Sequence, residues 1–198
     1  MIAPLVHIRP GRPEDAPAIA RVHVETWRLA YAGILPDRYL VAMTEARQAA
    51  QWRGLLHRHA GSDTVLVAEI PGTRGEAGTG AVGTIVGFGS CGRARGGPAP
   101  GEVYTLYVAG DWQGCGVGRR LLGGLFRALV GGGIDSAFLW VLSANPSRFF
   151  YEVMGGRLLA RRQEQIIRPE PPAVTHSFSD PELEAALEAA PLGWADPG

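Results

Sequence analysis

Residues 102–122, EVYTLYVAGDWQGCGVGRRLL, decide the fold. Positions 103–108 are β-branched or aromatic except for Leu106, and Ala109-Gly110-Asp111 then stops the run as a turn does, so a buried strand is expected. After Gln113, Gly114, Gly116 and Gly118, the apolar residues Val117, Leu121, Leu125 and Leu129 recur every fourth position, with Leu122 and Phe126 widening the stripe. That period is an amphipathic helix, closed by Gly131-Gly132-Gly133. The first amides of such a helix have no intrahelical acceptor, and glycines let a ligand come close to them. An anion suits that place, and a phosphate best of all.

Spacing separates three phosphate-binding patterns. A Walker loop needs a lysine after its last glycine, but all 19 basic residues here are arginine. A dinucleotide fingerprint needs a third glycine where Arg119 stands, and an acidic residue at the end of the next strand, whereas Asp135 precedes that strand. What remains is Q-x-x-G-x-G, written as Gln113, Gly116 and Gly118 and followed by Arg119-Arg120-Leu121-Leu122. This resembles the pyrophosphate-binding motif of the GNAT superfamily, the acyl-coenzyme-A-dependent N-acyltransferases. Two further blocks resemble the same family in the same order. Residues 137–142 (AFLWVL) read as a second buried strand, ended by Ser143-Ala144-Asn145-Pro146; a short helix with Phe150 and Tyr151 follows and stops at Gly155-Gly156. Near the start, WRLAYAGILPDRYL over residues 27–40 matches a subset of bacterial members. The resemblance spans about residues 5–178.

The remainder of the chain is consistent with one compact domain. Its 198 residues, 46% of them hydrophobic, give ample core, and a net charge of zero implies no basic surface for nucleic acid. The opening MIAPLVHIRPGRPED is not a signal peptide and no stretch reaches membrane-spanning length, so a cytoplasmic protein without a membrane partner is expected. Cys91 and Cys115 have neither metal-site nor redox spacing, and His57 and His59 point in different directions on a helix, so no metal site is expected. Residues 6–9 read as a first strand, and Arg12-Pro13-Glu14-Asp15 opens a helix whose shared face carries Ala16, Ile19, Val22 or His23, Thr26 and Trp27. Residues 36–43 and 45–57 read as two more helical pieces; 64–70 and 83–91 read as strands of an antiparallel meander into 103–108. Residues 157–167 and 173–178 read as strands, and Ser179-Asp180-Pro181-Glu182 as a capping-box start to a short helix reaching about Ala190, before a frayed tail. The fold class is therefore α+β or three-layer α/β around one mixed, mostly antiparallel sheet with helices on both faces. The resemblance adds that the strands at 103–108 and 137–142 are parallel neighbours that splay apart, with acyl-coenzyme A entering the gap.

The family's chemistry then maps onto this chain. Pyrophosphate would sit on the amides of Gly114, Cys115, Gly116, Val117 and Gly118, with Gln113 and Arg119 adding to the loop. The backbone of Leu106, Tyr107 and Val108 would pair with the pantetheine arm as an added strand does. Asn145 either bonds the same arm or caps the helix behind it. Tyr151 either protonates the departing thiolate, the family's equivalent tyrosine pointing at the thioester sulfur, or is one aromatic of a packing cluster with Phe149 and Phe150. An attacking alkyl amine must lose a proton, and the family places an acidic residue near Glu102 in several members; otherwise Glu102 is an exposed strand-end carboxylate and ordered water is the base. Trp27 and Tyr31 would form one wall of the acceptor mouth, with Trp27 also suited to the core. The resemblance implies an N-acetyltransferase using acetyl-CoA on an amine of a small molecule or peptide; the same motifs would also serve a coenzyme-A-binding sensor without turnover. Homodimers are common in the family.

Overall fold

The computed structural model describes residues 6–58, 63–72, 83–142 and 144–162, together with the backbone of 183–188. The strands are β1 (His7–Pro10), β2 (Thr64–Ile70), β3 (Thr84–Arg93), β4 (Gly101–Val108) and β5 (Ala137–Phe138), in spatial order β1-β2-β3-β4-β5. All neighbours run antiparallel except β4 and β5, which are parallel. Helices α1 (Ala16–Ala30), α2 (Asp37–Ala42) and α3 (Glu45–Arg58) lie between β1 and β2, and α4 (Val117–Gly131) follows β4. A short helix α5 (Arg148–Val153) follows β5. The expected mixed sheet with helices on both faces is observed.

Alternation along β2 assigns the two cores. Val65 and Val67 join Ile85 and Phe88 against Ile19 and Val22 of α1 and Trp52 and Leu56 of α3. Leu66 and Ala68 point the other way, with Val86 and Val103, against Val117, Leu121, Leu125 and Leu129 of α4. That α4 face is the stripe the sequence shows, and Leu121 and Leu125 are completely buried. Each is worth roughly 1.5–3 kcal/mol of burial. Glycines bring α4 down onto the sheet: a Cβ at Gly124 would lie 2.8 Å from Leu66 Cδ1, and one at Gly89 2.8 Å from Leu125 Cδ1. The middle of the helix is thereby set close against β2 and β3.

Two boundaries differ from expectation, each for a physical reason. Only Ala137–Phe138 of the run 137–142 pairs with β4, at Gly101↔Ala137 and Glu102↔Phe138. Leu139 and Val141 are nonetheless buried, so the apolar run reports burial and not ladder pairing. The two parallel strands touch at their first residues and then diverge. Second, β6 (Arg157–Arg162) pairs antiparallel with β7 (Leu183–Glu188) in a separate two-stranded sheet. The residues of β7 were expected to be helical from the capping box before them; pairing with β6 overrides that weak local signal. The expected strand residues 163–167 and 173–178, the helix start at 179–182 and the tail lie outside the described residues.

A charged clamp secures the start of α1. Arg9 on β1 donates to both carboxylate oxygens of Asp15, at 2.7 and 2.9 Å, and to both of Glu69 on β2, at 2.8 and 2.9 Å. The Asp15 carboxylate also accepts the Arg12 amide at 2.8 Å. These bonds raise the Arg9 guanidinium above its usual range. For Asp15 burial pushes upward, but the Arg9 and Arg12 bonds outweigh it and the carboxyl ends below its ordinary value; at Glu69 the Arg9 bonds dominate and lower it.

Candidate active site

A cleft of about 580 Å³ opens between the diverging β4 and β5. Its outer end is the glycine loop. Gly114 and Gly116 have φ of +73° and +78°, a left-handed backbone that other residues adopt only at a cost, and Gly116 caps α4. The first bond closing the α4 ladder is Arg120 N–H to the Gly116 carbonyl, 3.1 Å, so the amides of 117–119 precede it. Gln113 Nε2 donates to the Val108 carbonyl at 3.0 Å and ties the loop to the strand end. Gly118 lies against the Phe150 ring, where a Cβ would sit 3.3 Å from Cζ. Gln113, Gly114, Gly116, Gly118 and Arg119 line the cleft; Val117 turns into the core and the exposed Cys115 faces away, its thiol donating to the Gln113 carbonyl at 3.6 Å. Amides, positive φ and an adjacent arginine fit a pyrophosphate at this end.

The strand wall comes next. Leu106, Tyr107 and Val108 line the cleft, and β4 has no β5 partner among the described residues past Glu102. Pairing with β3 passes directly from Ser90↔Thr105 to Cys91↔Val103, which leaves Tyr104 as the extra residue of a bulge. One edge of β4 is therefore available for an added strand-like ligand.

The inner end is built from side chains that lie far apart in sequence. Tyr31 follows α1, Tyr107 is on β4, Tyr151 is on α5, and all three line the cleft with the buried Asn145. The Tyr31 hydroxyl meets the side chains of Asn145 and Tyr107; burial raises its pKa and these two polar neighbours partly offset the effect. Burial likewise lifts Tyr107 and Tyr151 well above the usual phenol range, and an ionised Tyr31 would lift both further. Tyr107 stacks on His23 at 5.2 Å and 22°, Tyr31 leans on Trp27 at 4.8 Å, and Tyr151 meets Phe150 edge-on at 5.1 Å. Asn145 Oδ1 accepts the Ser147 amide at 2.9 Å, the local cap expected of it, while its side chain also faces Tyr31.

Not every sequence candidate reaches the cleft. Trp27 is half-buried behind Tyr31 and is not part of the lining. His23 lies behind Tyr107, its Nδ1 accepting the Trp52 indole N–H at 3.1 Å. Glu102 sits at the closed end of the β4–β5 pair, its carboxylate accepting the Arg95 amide at 3.0 Å, and does not line the cleft. Tyr107 was expected to contribute its backbone alone, and Thr26, Trp140 and Met154, which also line the cleft, were not among the expected site residues. Strand alternation could have assigned Tyr107 a face, but nothing local signals that its hydroxyl would meet Tyr31.

Comparison with known proteins agrees with this geometry. Residues 26–155 match the model of the Acetyltransferase (GNAT) family. The "Uncharacterized N-acetyltransferase YuaI" of Bacillus subtilis (strain 168) is 30% identical over 164 residues, covering 82% of this chain and 86% of that protein. Among solved structures, the PaiA N-acetyltransferase of Thermoplasma acidophilum in complex with coenzyme A superposes with a TM-score of 0.64 at 17% identity, over 93% of this chain and 98% of that one. The structure of yncA from Salmonella typhimurium with its cofactor acetyl-CoA gives 0.58 at 21% identity, over 96% of each chain. The match runs from the last turn of α1 through the glycine loop to the turn after α5, the same segments that wall the cleft, and the chain belongs to the GNAT acetyltransferase family.

Proposed function

We propose that this protein transfers the acetyl group of acetyl-CoA to a primary amine of a small molecule or protein, by direct attack in a ternary complex. One observation carries the reading: a single cleft joins a glycine-rich helix start to a strand edge without a partner among the described residues and then to a buried phenol. Acetyl-CoA would lay its pyrophosphate on the loop amides from Gly114 to Gly118 beside Arg119, and its pantetheine along Leu106, Tyr107 and Val108. Asn145 would hold the arm's amides near the thioester. Tyr151, kept protonated by burial, would give its proton to the departing sulfur.

The acceptor would approach along the α1 wall, past Thr26 and Tyr31. Thr26 Oγ1 is buried there without a partner among the described residues. This reading gives the amine's proton to the lining of the cleft and not to Glu102, whose carboxylate is held by the Arg95 amide at the closed end of the strands. The test is release of free coenzyme A from acetyl-CoA with a panel of polyamines, aminoglycosides, amino acids and peptide N-termini. Amine-dependent release supports transfer. Tight binding of acetyl-CoA with no release across the panel would instead favour a sensor.

A further inference from the structure

We propose that the acceptor is an α-amino amide, an amine on an uncharged body with a carbonyl beside the amine-bearing carbon, and that the Thr105 hydroxyl donates to that carbonyl oxygen. The inference rests on the acetyltransferase reading above and names the class of its acceptor. A peptide N-terminus and a small amino-acid amide share this chemistry.

A pair of hydroxyls supplies the donor. Thr105 lines the cleft, and its Oγ1 lies 2.7 Å from Ser90 Oγ across the β3–β4 ladder. Two hydroxyls hold two protons, and the one bond between them uses one. Ser90 is buried and its hydroxyl has no other hydrogen bond among the described residues, so a proton left on it would be stranded at a cost. Ser90 therefore donates to Thr105, and the Thr105 proton is left for the cleft. Thr105 and Tyr107 stand opposite Ser90 and Phe88, on the sheet face that packs against α1, which puts this donor on the acceptor's side.

Charge then selects among amines. Among the described residues that line the cleft, Arg119 is the one charged side chain, and it stands at the glycine loop with the pyrophosphate. Two carboxylates near β4 have other partners: Glu102 accepts the Arg95 amide at 3.0 Å, and Asp63 accepts the Tyr104 hydroxyl at 3.2 Å. The second ammonium of a polyamine would be buried there without a counter-ion, and so would the carboxylate of a free amino acid. An amine that arrives already neutral is also favoured where no carboxylate waits for its proton. At pH 7.5 an α-amino group, with a pKa of about 7.7–8.0, is about one-third neutral, whereas a lysine side chain, at about 10.4, is neutral in about one molecule in a thousand. The rings of Tyr31, Tyr107 and Trp140 complete a wall suited to an uncharged body.

The test compares kcat/KM for acetyl transfer at pH 7.5 to alaninamide, an alanine-led tripeptide amide, free alanine and spermidine. At least one of the two α-amino amides should exceed both alanine and spermidine by about tenfold or more. The tripeptide ahead of alaninamide identifies a peptide terminus as the source, and the reverse order a small amide; both uphold the class. Spermidine or alanine as the best acceptor overturns it and leaves the acetyltransferase reading standing. Binding of acetyl-CoA with no transfer to any amine removes that reading, and this inference with it. Thr105→Val tests the donor, because it keeps the shape and branching of the side chain and deletes the proton. The preference for alaninamide over 3-methyl-2-butylamine, which has the same outline without the amide, should fall about 3- to 10-fold, and Thr105→Ser should restore it. An unchanged preference in Thr105→Val overturns the role given to Thr105. Should Thr105→Val fail to fold, Ser90→Ala/Thr105→Val removes the hydroxyl pair together, strands no buried proton and carries the same expectations.

Discussion

The two ends of the cleft are made in different ways. The glycine loop is backbone: Gly114, Gly116 and the first amides of α4 lie within a few residues of one another, and their geometry follows from two positive φ values and a helix start. The inner end is side chain: Tyr31, Tyr107, Asn145 and Tyr151 meet only because α1, β4 and α5 are packed around one opening. A backbone site can be written as a short motif and tolerates change around it. A side-chain site of this kind depends on the whole fold to bring its members together. Variants at the two ends should therefore separate cleanly, binding being lost at one and chemistry at the other.

Tyr151→Phe carries the largest expected effect. It removes one hydroxyl and keeps the ring against Phe150, so turnover should fall by about 10²- to 10⁴-fold while acetyl-CoA affinity holds. Single-turnover kinetics with calorimetry checks both halves, and a loss of affinity in place of turnover would erase the distinction between the ends. The loop variant is the mirror case. Gly118→Val forces a branched side chain against the Phe150 ring and into the space beside the loop amides. A misfit worth about 1.4–3 kcal/mol weakens acetyl-CoA roughly 10- to 100-fold. Wild-type affinity in a folded Gly118→Val protein would refute the assignment of the loop.

Legibility in the sequence follows the same division. The α4 stripe from Val117 to Leu129 and the meander strands were readable because helix and strand periods are local, and the Gln113–Gly118 spacing was readable because it encodes backbone. The short pairing of β5 was not, since Leu139 and Val141 are buried whether or not they join a ladder. Nor was β7, whose alanine-rich segment favours a helix until β6 offers it a partner. At the site, Tyr151 and Asn145 were singled out by their place in a motif and line the cleft, whereas Glu102 and Trp27 were singled out by chain position and do not. A position in sequence does not reveal that the Arg95 amide claims one carboxylate, or that Trp27 stands behind Tyr31.

That contrast gives a third test, with a smaller effect. Tyr31→Ala removes a cleft wall and the partner of Asn145, so kcat/KM for the acceptor should fall about 5- to 50-fold, with acetyl-CoA affinity nearly unchanged. Glu102→Gln keeps an acceptor for the Arg95 amide and should change kcat by less than about threefold. A large loss of kcat in Glu102→Gln, with its pH profile flattened on the acidic limb, would return the role of base to that carboxylate.

The smallest effect concerns the support of the aromatic end, and its sign follows from the Arg9 clamp. Asp15 and Glu69 titrate below their ordinary values in the folded protein. Groups depressed in this way stabilise the fold fully above their unfolded pKa, about 4, and that contribution is lost as pH falls through the folded values. Urea midpoints should therefore be level from about pH 7 to 5 and then decline towards pH 3. Arg9→Met removes both pairs at once. The side chains of Arg9, Asp15 and Glu69 are 19%, 11% and 25% exposed, so the clamp lies between a surface and a buried pair, and its loss at pH 7 should cost about 1–3 kcal/mol. Its pH dependence should also weaken, because burial raises the Asp15 pKa and with Arg9 gone only the Arg12 amide and charge still oppose it. Because α1 runs from the clamp to the edge of Tyr31 while the glycine loop stands on α4, acetyl-CoA affinity should remain within about twofold of wild type. If Arg9→Met weakens acetyl-CoA as much as it weakens the fold, the two ends of the cleft are not independent.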